Sequence, residues 1–227
     1  MTKEEVSIII PAAGMGRRMK SYGPKPLIKI GNSTIIKNQI NLLKTYITNT
    51  TIILVCGFKS EILMSETPEH ILKVENEGYK ETNVARSIGI GLRVIGDCSK
   101  VMVVYGDLVF NSETLKNISF KESSVIVTSQ EMGEEEVGCI IDKKNKLTNL
   151  MYDLPNKWGQ IGIFVDKELN LLKQLCWDKK NNTKFGFEII NQIIDKGGSF
   201  KCIQNKNIKI VDIDSSKDIK RAKEILL

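Results

Sequence analysis

The sequence predicts an α/β fold built around a buried sheet. Three apolar, β-branched runs have the composition of buried strands, and two stretches between them place apolar residues at helical spacing. The runs lie at residues 6–10, 50–56 and 101–105, and the helical patterns lie at 34–46 and 83–95. Strands that alternate with helices are typical of parallel sheets with crossover connections. With 227 residues, 41% of them hydrophobic, the chain can bury a sizeable core.

The pattern changes in the second half, where shorter elements follow one another. The remaining predictions are helices at 59–66, 166–176, 187–196 and from about 217 onward, and strands at 70–74, 123–129, 138–142, 146–151, 157–165 and 208–213. Short strands separated by turns indicate a small antiparallel addition to the sheet. Asn32 or Ser33 is the expected cap of the helix at 34–46. No internal repeat or linker is visible, so we expect residues 1–227 to form a single domain.

The basic character of the chain is local. The formal net charge is +6, and residues 1–44 carry eight Lys and Arg against Glu4 and Glu5, which accounts for the whole excess. A protein that binds nucleic acid more often carries a basic stripe with interleaved aromatic residues. The clustering around one loop favours a small polyanion such as a nucleoside triphosphate, and we expect no nucleic-acid partner.

The spacing of the cysteines and the length of the apolar segments indicate the cellular compartment of the protein. Five cysteines are widely spaced and none pair as C-x-x-C, which argues against a disulfide framework and a cysteine metal site. No apolar run is long enough to span a bilayer, and the N-terminus has no hydrophobic signal core. We therefore expect a reduced, cytoplasmic protein without a membrane partner.

One loop after the first predicted strand carries the clearest chemical signal. Residues 8–27 read IIIPAAGMGRRMKSYGPKPL. Glycine lets the backbone approach a ligand and expose its N–H groups, while arginine and lysine bind phosphate oxygens. An ordinary strand-to-helix turn would explain Gly14 and Gly16 but not Arg17, Arg18 and Lys25. The loop therefore predicts a polyphosphate site.

Three aspartates lie at predicted strand ends. Gly106-Asp107 follows the third apolar run, and Asp212 and Asp214 lie two residues apart near the C-terminus. Ligands bind beyond the carboxyl ends of strands in open α/β sheets, and carboxylates are ligands for Mg²⁺. Capping of the next turn or helix is the alternative, but a triphosphate loop elsewhere in the chain favours a Mg²⁺ site.

Several motifs resemble one enzyme family. The segment A-A-G-x-G-x-R-M followed by P-K-P-L resembles the signature of the nucleotidyltransferases that make sugar nucleotides and related activated compounds. Arg18 falls on the family's arginine, whereas Arg17 replaces a small hydroxyl residue. The stretch N-x-x-Y-x-x-T-N, from Asn76 to Asn83, resembles the bacterial choline-phosphate cytidylyltransferase branch, with Val84 in place of a second asparagine.

The resemblance implies a three-layer α/β/α Rossmann-like mixed sheet of the nucleotide-diphospho-sugar transferase type. It implies a nucleotide-binding half at about 1–118 and an acceptor-binding half at about 119–227. The implied enzyme is a monomer or homodimer that uses Mg²⁺ to join CMP from CTP to a small phosphorylated or phosphonate acceptor. The implied roles are catalysis for Arg18 and Lys25, Mg²⁺ binding for Asp107, Asp214 and its neighbour Asp212, and nucleotide binding for Ala12, Ala13, Gly14, Met15, Gly16, Arg17, Asn83, Ser87 and Gly106.

The acceptor residues and the function class stay open at this stage. Tyr152, Trp158 and Phe185 are candidates to contact the acceptor or to lie in the core, and Glu188 is a candidate acceptor acid or a favourable charge in a first helical turn. A sugar-1-phosphate nucleotidyltransferase using UTP or dTTP is the alternative function. A nucleotide-sugar-using glycosyltransferase and a non-catalytic regulator on the same fold are further alternatives.

Overall fold

The structure, a computed structural model, describes residues 5–16, 23–133 and 135–226. Its helices are α1 (Ile35–Tyr46), α2 (Ser60–Glu66), α3 (Val84–Val94), α4 (Glu113–Lys116), α5 (Asp166–Trp177), α6 (Gly186–Asp195) and α7 (Ser216–Leu226). Its strands are β1 (Val6–Ala12), β2 (Lys29–Ile30), β3 (Ser33–Thr34), β4 (Thr50–Cys56), β5 (Leu72–Glu75), β6 (Lys100–Val104), β7 (Leu108–Phe110), β8 (Ser124–Thr128), β9 (Val137–Ile141), β10 (Leu147–Tyr152), β11 (Asn156–Val165), β12 (Lys201–Gln204) and β13 (Ile210–Asp212).

One mixed sheet forms the centre of the molecule. β1 pairs in parallel with β4 and β6, and β4 pairs in parallel with β5. β11 lies antiparallel beside β6, and β8, β9, β10 and β12 extend that side of the sheet. The parallel half with an antiparallel addition confirms the predicted mixed sheet.

Helices cover both faces of this sheet. In β1, Ile8 and Ile10 pack in one buried cluster with Ile40 of α1, whereas Ile9 packs in another with Leu92 of α3. Successive side chains of a strand point to opposite faces, so a strand that is apolar at every position must be covered on both. The predicted three-layer α/β/α fold is confirmed.

Some local predictions were wrong. The cap of α1 is Thr34, whose hydroxyl accepts a backbone N–H of the first turn at 3.4 Å, and not Asn32 or Ser33. The reason is that residues 33–34 pair with 29–30 as a small antiparallel ladder, which moves the helix start. The sequence analysis also missed the short elements β2, β3, β7, β12 and α4, and began β5 two residues before Leu72.

The missed pairing of β7 with β13 brings distant parts of the chain together. Leu108 lies opposite Asp212 in this antiparallel ladder. The Ile213 N–H then donates to the Asp107 carbonyl oxygen at 3.1 Å. The three predicted metal aspartates therefore meet at one place. Within the part of the chain described above, no helix is long and apolar enough to cross a membrane.

Candidate active site

A cleft of about 290 Å³ lies where β1, β5 and β6 end. The predicted site residues that line it are Ala12, Ala13, Gly14, Gly16, Lys25, Asn83, Ser87, Gly106, Asp107, Tyr152, Trp158, Phe185, Asp212 and Asp214. Met15 and Glu188 are not among its lining residues. Arg17 and Arg18 lie outside the described residues, so the structure places neither of them.

The glycine loop begins where β1 ends and is held from two sides. Gly106 N–H donates to the Pro11 carbonyl at 3.1 Å, and Phe58 N–H donates to the Ala13 carbonyl at 3.0 Å. A Cβ on Gly106 would lie 2.9 Å from the Cβ of Ala12, so this close approach of the two segments requires glycine. The start of the loop is therefore fixed against neighbouring segments.

Lys25 occupies the centre of the site. It lies between Pro24 and Pro26 and is the first residue of a short 3-10 turn. Its side chain is only 13% exposed. Its Nζ donates to Asp107 Oδ2 at 3.2 Å and also to Asp214 Oδ1. The ammonium thus joins two of the aspartates that the sequence analysis assigned to a metal.

Asp212 lines the same cleft as this ion pair. Its Oδ2 accepts from Gln160 Nε2 at 2.9 Å, while its Oδ1 is buried without a hydrogen-bond partner among the described residues. Gln160 has a left-handed backbone (φ 55°) in the irregular part of β11. Such strain in a non-glycine residue is concentrated at functional sites. The sequence analysis missed Gln160, although Gly159 and Gly162 in the same strand are a signal of irregularity.

The charges of the cluster shift one another. Burial alone lowers the pKa of Lys25, but the carboxylates of Asp107, Asp212 and Asp214 outweigh burial and raise it above its usual value. Burial, together with the charges of Asp107 and Asp214, raises the pKa of Asp212 to about 8. The cluster therefore favours the charged form of Lys25 and the neutral form of Asp212.

The cluster fits a Mg²⁺ ion that enters with a nucleotide. Among the residues that the structure describes, no group of three His, Cys, Asp or Glu side chains forms a ready-made metal site. Mg²⁺ is usually held by one or two carboxylates plus substrate phosphates. Asp107 and Asp214 could supply the carboxylates once Lys25 moves to a phosphate. The Oδ1 atom of Asp212, buried without a hydrogen-bond partner among the described residues, is a further oxygen at the same place.

A polar network forms another wall of the cleft. Asn76, which is 2% exposed, donates through Nδ2 to Thr82 Oγ1 at 3.1 Å and to Ser87 Oγ at 3.2 Å. Asn83 accepts the N–H of Val84 through its side chain and caps α3, while also lining the cleft. The sequence analysis gave roles to Asn83 and Ser87 but none to Asn76, although Asn76 opens the motif that it quoted.

Aromatic rings line the side formed by the second half of the chain. Phe185 stacks on Phe187 with ring centroids 5.7 Å apart, and Phe187 meets Tyr152 edge-on at 5.5 Å. Tyr152 and Phe185 are 39% and 46% exposed, so these three residues form an accessible aromatic wall. Trp158 differs, because it is buried and packs edge-on against Tyr105 at the base of the cleft.

Glu188 has local partners at the start of α6. Its Oε2 accepts the Phe185 N–H at 2.8 Å, and its Oε1 pairs with Lys184 at 2.6 Å. A carboxylate in the first turn of a helix satisfies a free N–H and favours the helix dipole. These contacts match the reading of Glu188 as a helix-start charge.

The chain belongs to the MobA-like NTP transferase domain family, which matches residues 8–156. It is 25% identical over 234 residues to the bifunctional protein GlmU of Buchnera aphidicola subsp. Schizaphis graminum. This match covers 96% of the chain but only 48% of GlmU, so the chain spans about half the length of that relative.

Two solved structures share the fold over nearly the whole chain. One is the CTP:phosphocholine cytidylyltransferase (LicC) of Streptococcus pneumoniae, with a TM-score of 0.81, 19% identity, and 98% of this chain and 100% of that one covered. The other is a UDP-glucose pyrophosphorylase complexed with UDP-glucose, with a TM-score of 0.77, 14% identity and 98% of each chain covered. At these identities the likeness establishes the fold alone. The proteins that share this fold are named for different nucleotides.

The high pKa of Asp212 predicts how stability depends on pH. An acid whose pKa is about 3.9 when unfolded and about 8 when folded takes up a proton on folding between these values. Stability of the metal-free protein should therefore fall as the pH rises from about 5 to 8, by at least about 2 kcal/mol. Asp212→Asn should remove this part of the slope in urea unfolding with EDTA, whereas the exposed Glu69→Gln should keep it. An unchanged slope in Asp212→Asn would contradict the prediction.

Proposed function

We propose that the protein is a Mg²⁺-dependent cytidylyltransferase that transfers CMP from CTP to a small phosphorylated or phosphonate acceptor. An acceptor oxygen attacks the α-phosphorus, the bond from that phosphorus to the bridging oxygen breaks, and pyrophosphate leaves with that oxygen. The observation that carries the proposal is the convergence of Lys25, Asp107 and Asp214 in a cleft that begins at the glycine loop.

The residues of this centre supply charge and position, not a nucleophile. Lys25 would leave the carboxylates and contact the α-phosphate, where negative charge develops. Asp107 and Asp214 would hold Mg²⁺, which when bound neutralises charge on the triphosphate. The loop from Gly14 to Arg18 would bind the β- and γ-phosphates. Because the acceptor phosphate is already ionised, no general base is required.

The two walls of the cleft would select the substrates. Backbone groups near Ala12 and the side chains of Ser87 and Asn83 would bind the pyrimidine, and a wrong base would leave the buried Ser87 hydroxyl poorly paired. The aromatic wall of Tyr152, Phe185 and Phe187 would pack against an alkyl or ammonium group of the acceptor.

A sugar-1-phosphate nucleotidyltransferase that uses UTP or dTTP is the second candidate. The fold shared with a UDP-glucose pyrophosphorylase favours it. Such an acceptor is a larger polar ring, which needs hydrogen-bonding groups where the aromatic wall lies. That requirement is the reason we place this function second.

A pyrophosphate-release screen tests the proposed function. CTP, UTP, dTTP and ATP are combined with phosphocholine, aminoethylphosphonate, glycerol phosphate and glucose 1-phosphate, with and without EDTA. We expect release with CTP and one of the first three acceptors, and loss of release with EDTA. Efficient release with UTP or dTTP and glucose 1-phosphate would establish the second candidate. Transfer from a nucleotide sugar without pyrophosphate release would contradict both.

Lys25→Met should lower kcat far more than it raises KM for the nucleotide. The reason is that a preorganised charge partner acts on charge that develops in the transition state, and its loss typically costs about 10²- to 10³-fold in turnover. Lys29→Met is a matched control, because Lys29 is exposed on β2 and does not line the cleft. A Lys25→Met enzyme changed only in KM would limit Lys25 to binding.

Phe185→Ala should raise KM for the acceptor by about 10-fold, because one exposed ring of the aromatic wall is worth about 1 kcal/mol to a packed or cationic group. KM for CTP should stay within about 2-fold, because the Phe185 ring is assigned to the acceptor and not to the nucleotide. Tyr46→Ala serves as control, because Tyr46 is an exposed aromatic residue, at 39% against 46% for Phe185, but does not line the cleft. Equal effects of the two substitutions, or a change in KM for CTP alone, would refute the assignment.

A further inference from the structure

A glutamine is buried on the apolar side of α1. The other buried residues of this helix are Ile35, Ile36, Ile40 and Leu43. Gln39 is only 2% exposed and does not line the cleft. Burying an amide is unfavourable unless its hydrogen-bonding groups are satisfied, so an apolar residue would be the ordinary choice at this position.

The side-chain amide of Gln39 donates two hydrogen bonds to the turn that contains Asp107. Its Nε2 donates to the carbonyl oxygens of Tyr105 and Leu108, each at 2.8 Å. These carbonyls flank Gly106 and Asp107 on both sides. Within the turn itself, the Leu108 N–H reaches the Tyr105 carbonyl at a longer 3.4 Å. The two bonds from Gln39 are therefore the shorter constraints on this turn.

The same turn is held from the opposite end of the chain. The Ile213 N–H donates to the Asp107 carbonyl at 3.1 Å, between Asp212 and Asp214. Gln39 thus fixes one side of the turn while the segment after β13 fixes the other. This arrangement has a cost in folding free energy, because Gln39 Oε1 is buried without a hydrogen-bond partner among the described residues.

We propose that Gln39 is a positioning residue that sets the Asp107 carboxylate through the turn at residues 105–108. It contacts no substrate and acts only through the two carbonyl oxygens. The consequence for metal binding rests on the proposed function, whereas the effect on the turn does not. Groups that orient a metal ligand typically contribute about 10- to 100-fold to metal affinity or activity.

Two substitutions at position 39 separate positioning from simple stability. Gln39→Met keeps the length and removes both donors. Gln39→Glu keeps the length and, as a neutral buried acid, offers one donor. Ile40→Val is the matched control, because it removes a methyl group from the same buried side of α1 and leaves both hydrogen bonds from Gln39 to the turn in place. Thermal unfolding is measured for all three so that effects are compared against the loss of stability.

The first readout is hydrogen exchange in the ligand-free protein. Exchange in the peptide that covers residues 105–108 should quicken about 10-fold or more in Gln39→Met, by an intermediate amount in Gln39→Glu, and not in Ile40→Val. If Gln39→Met does not fold, the selective change in Gln39→Glu decides. Equal exchange in this peptide for wild type and the Gln39 variants would overturn the proposal.

The second readout is Mn²⁺ binding, followed by electron paramagnetic resonance with a non-hydrolysable CTP analogue. Mn²⁺ affinity should fall about 10-fold or more in Gln39→Met, while Ile40→Val stays at the wild-type value. Equal affinity in Gln39→Met and wild type would refute the link between Gln39 and the metal. No Mn²⁺ binding by the wild type with the CTP analogue would instead refute the proposed function, and the exchange result would still decide the role of Gln39 in the turn.

Discussion

The site depends on the pairing of Lys25 with Asp107 and Asp214. These three side chains come from three separate segments, and each is only partly exposed, at 13%, 27% and 26%. Three partly buried carboxylates in one place would repel one another, and the ammonium offsets two of them. The charges of Asp107 and Asp214, added to burial, raise the pKa of Asp212, so that loss of its proton is disfavoured and the remaining repulsion is reduced.

The fold explains why these segments meet. β1 and β6 are neighbours in the parallel sheet, so the loops that follow them lie side by side at one edge. The β7–β13 ladder then places the C-terminal aspartates beside Asp107. Two side-chain amides complete the arrangement, since Gln39 holds the turn of Asp107 and Gln160 holds the carboxylate of Asp212. The ionised groups are thus carried on backbone that is fixed from several directions.

The sequence was sufficient for most of the sheet and for most of the cleft. Continuous apolar runs such as residues 50–56 are typical of a strand that is covered on both faces. Lys25 and Asp107 were identifiable because they are charged residues that interrupt or end such patterns. Gln39 and Gln160 were not identifiable. A glutamine within an apolar helix side has no local signature, and its partners are backbone carbonyls more than 60 residues away. The left-handed backbone of Gln160 likewise depends on pairing to several strands at once.

We expect Lys25 to pair with Asp107 and Asp214 in the ligand-free protein and to contact the triphosphate when a nucleotide binds. A crystal structure with Mg²⁺ and a non-hydrolysable CTP analogue tests this expectation most directly. We expect Lys25 Nζ to contact an α-phosphate oxygen at about 3 Å, and oxygens of Asp107 and Asp214 to contact the metal at about 2.1 Å. A bound nucleotide with Lys25 still paired to both aspartates, and the metal held elsewhere, would contradict the account.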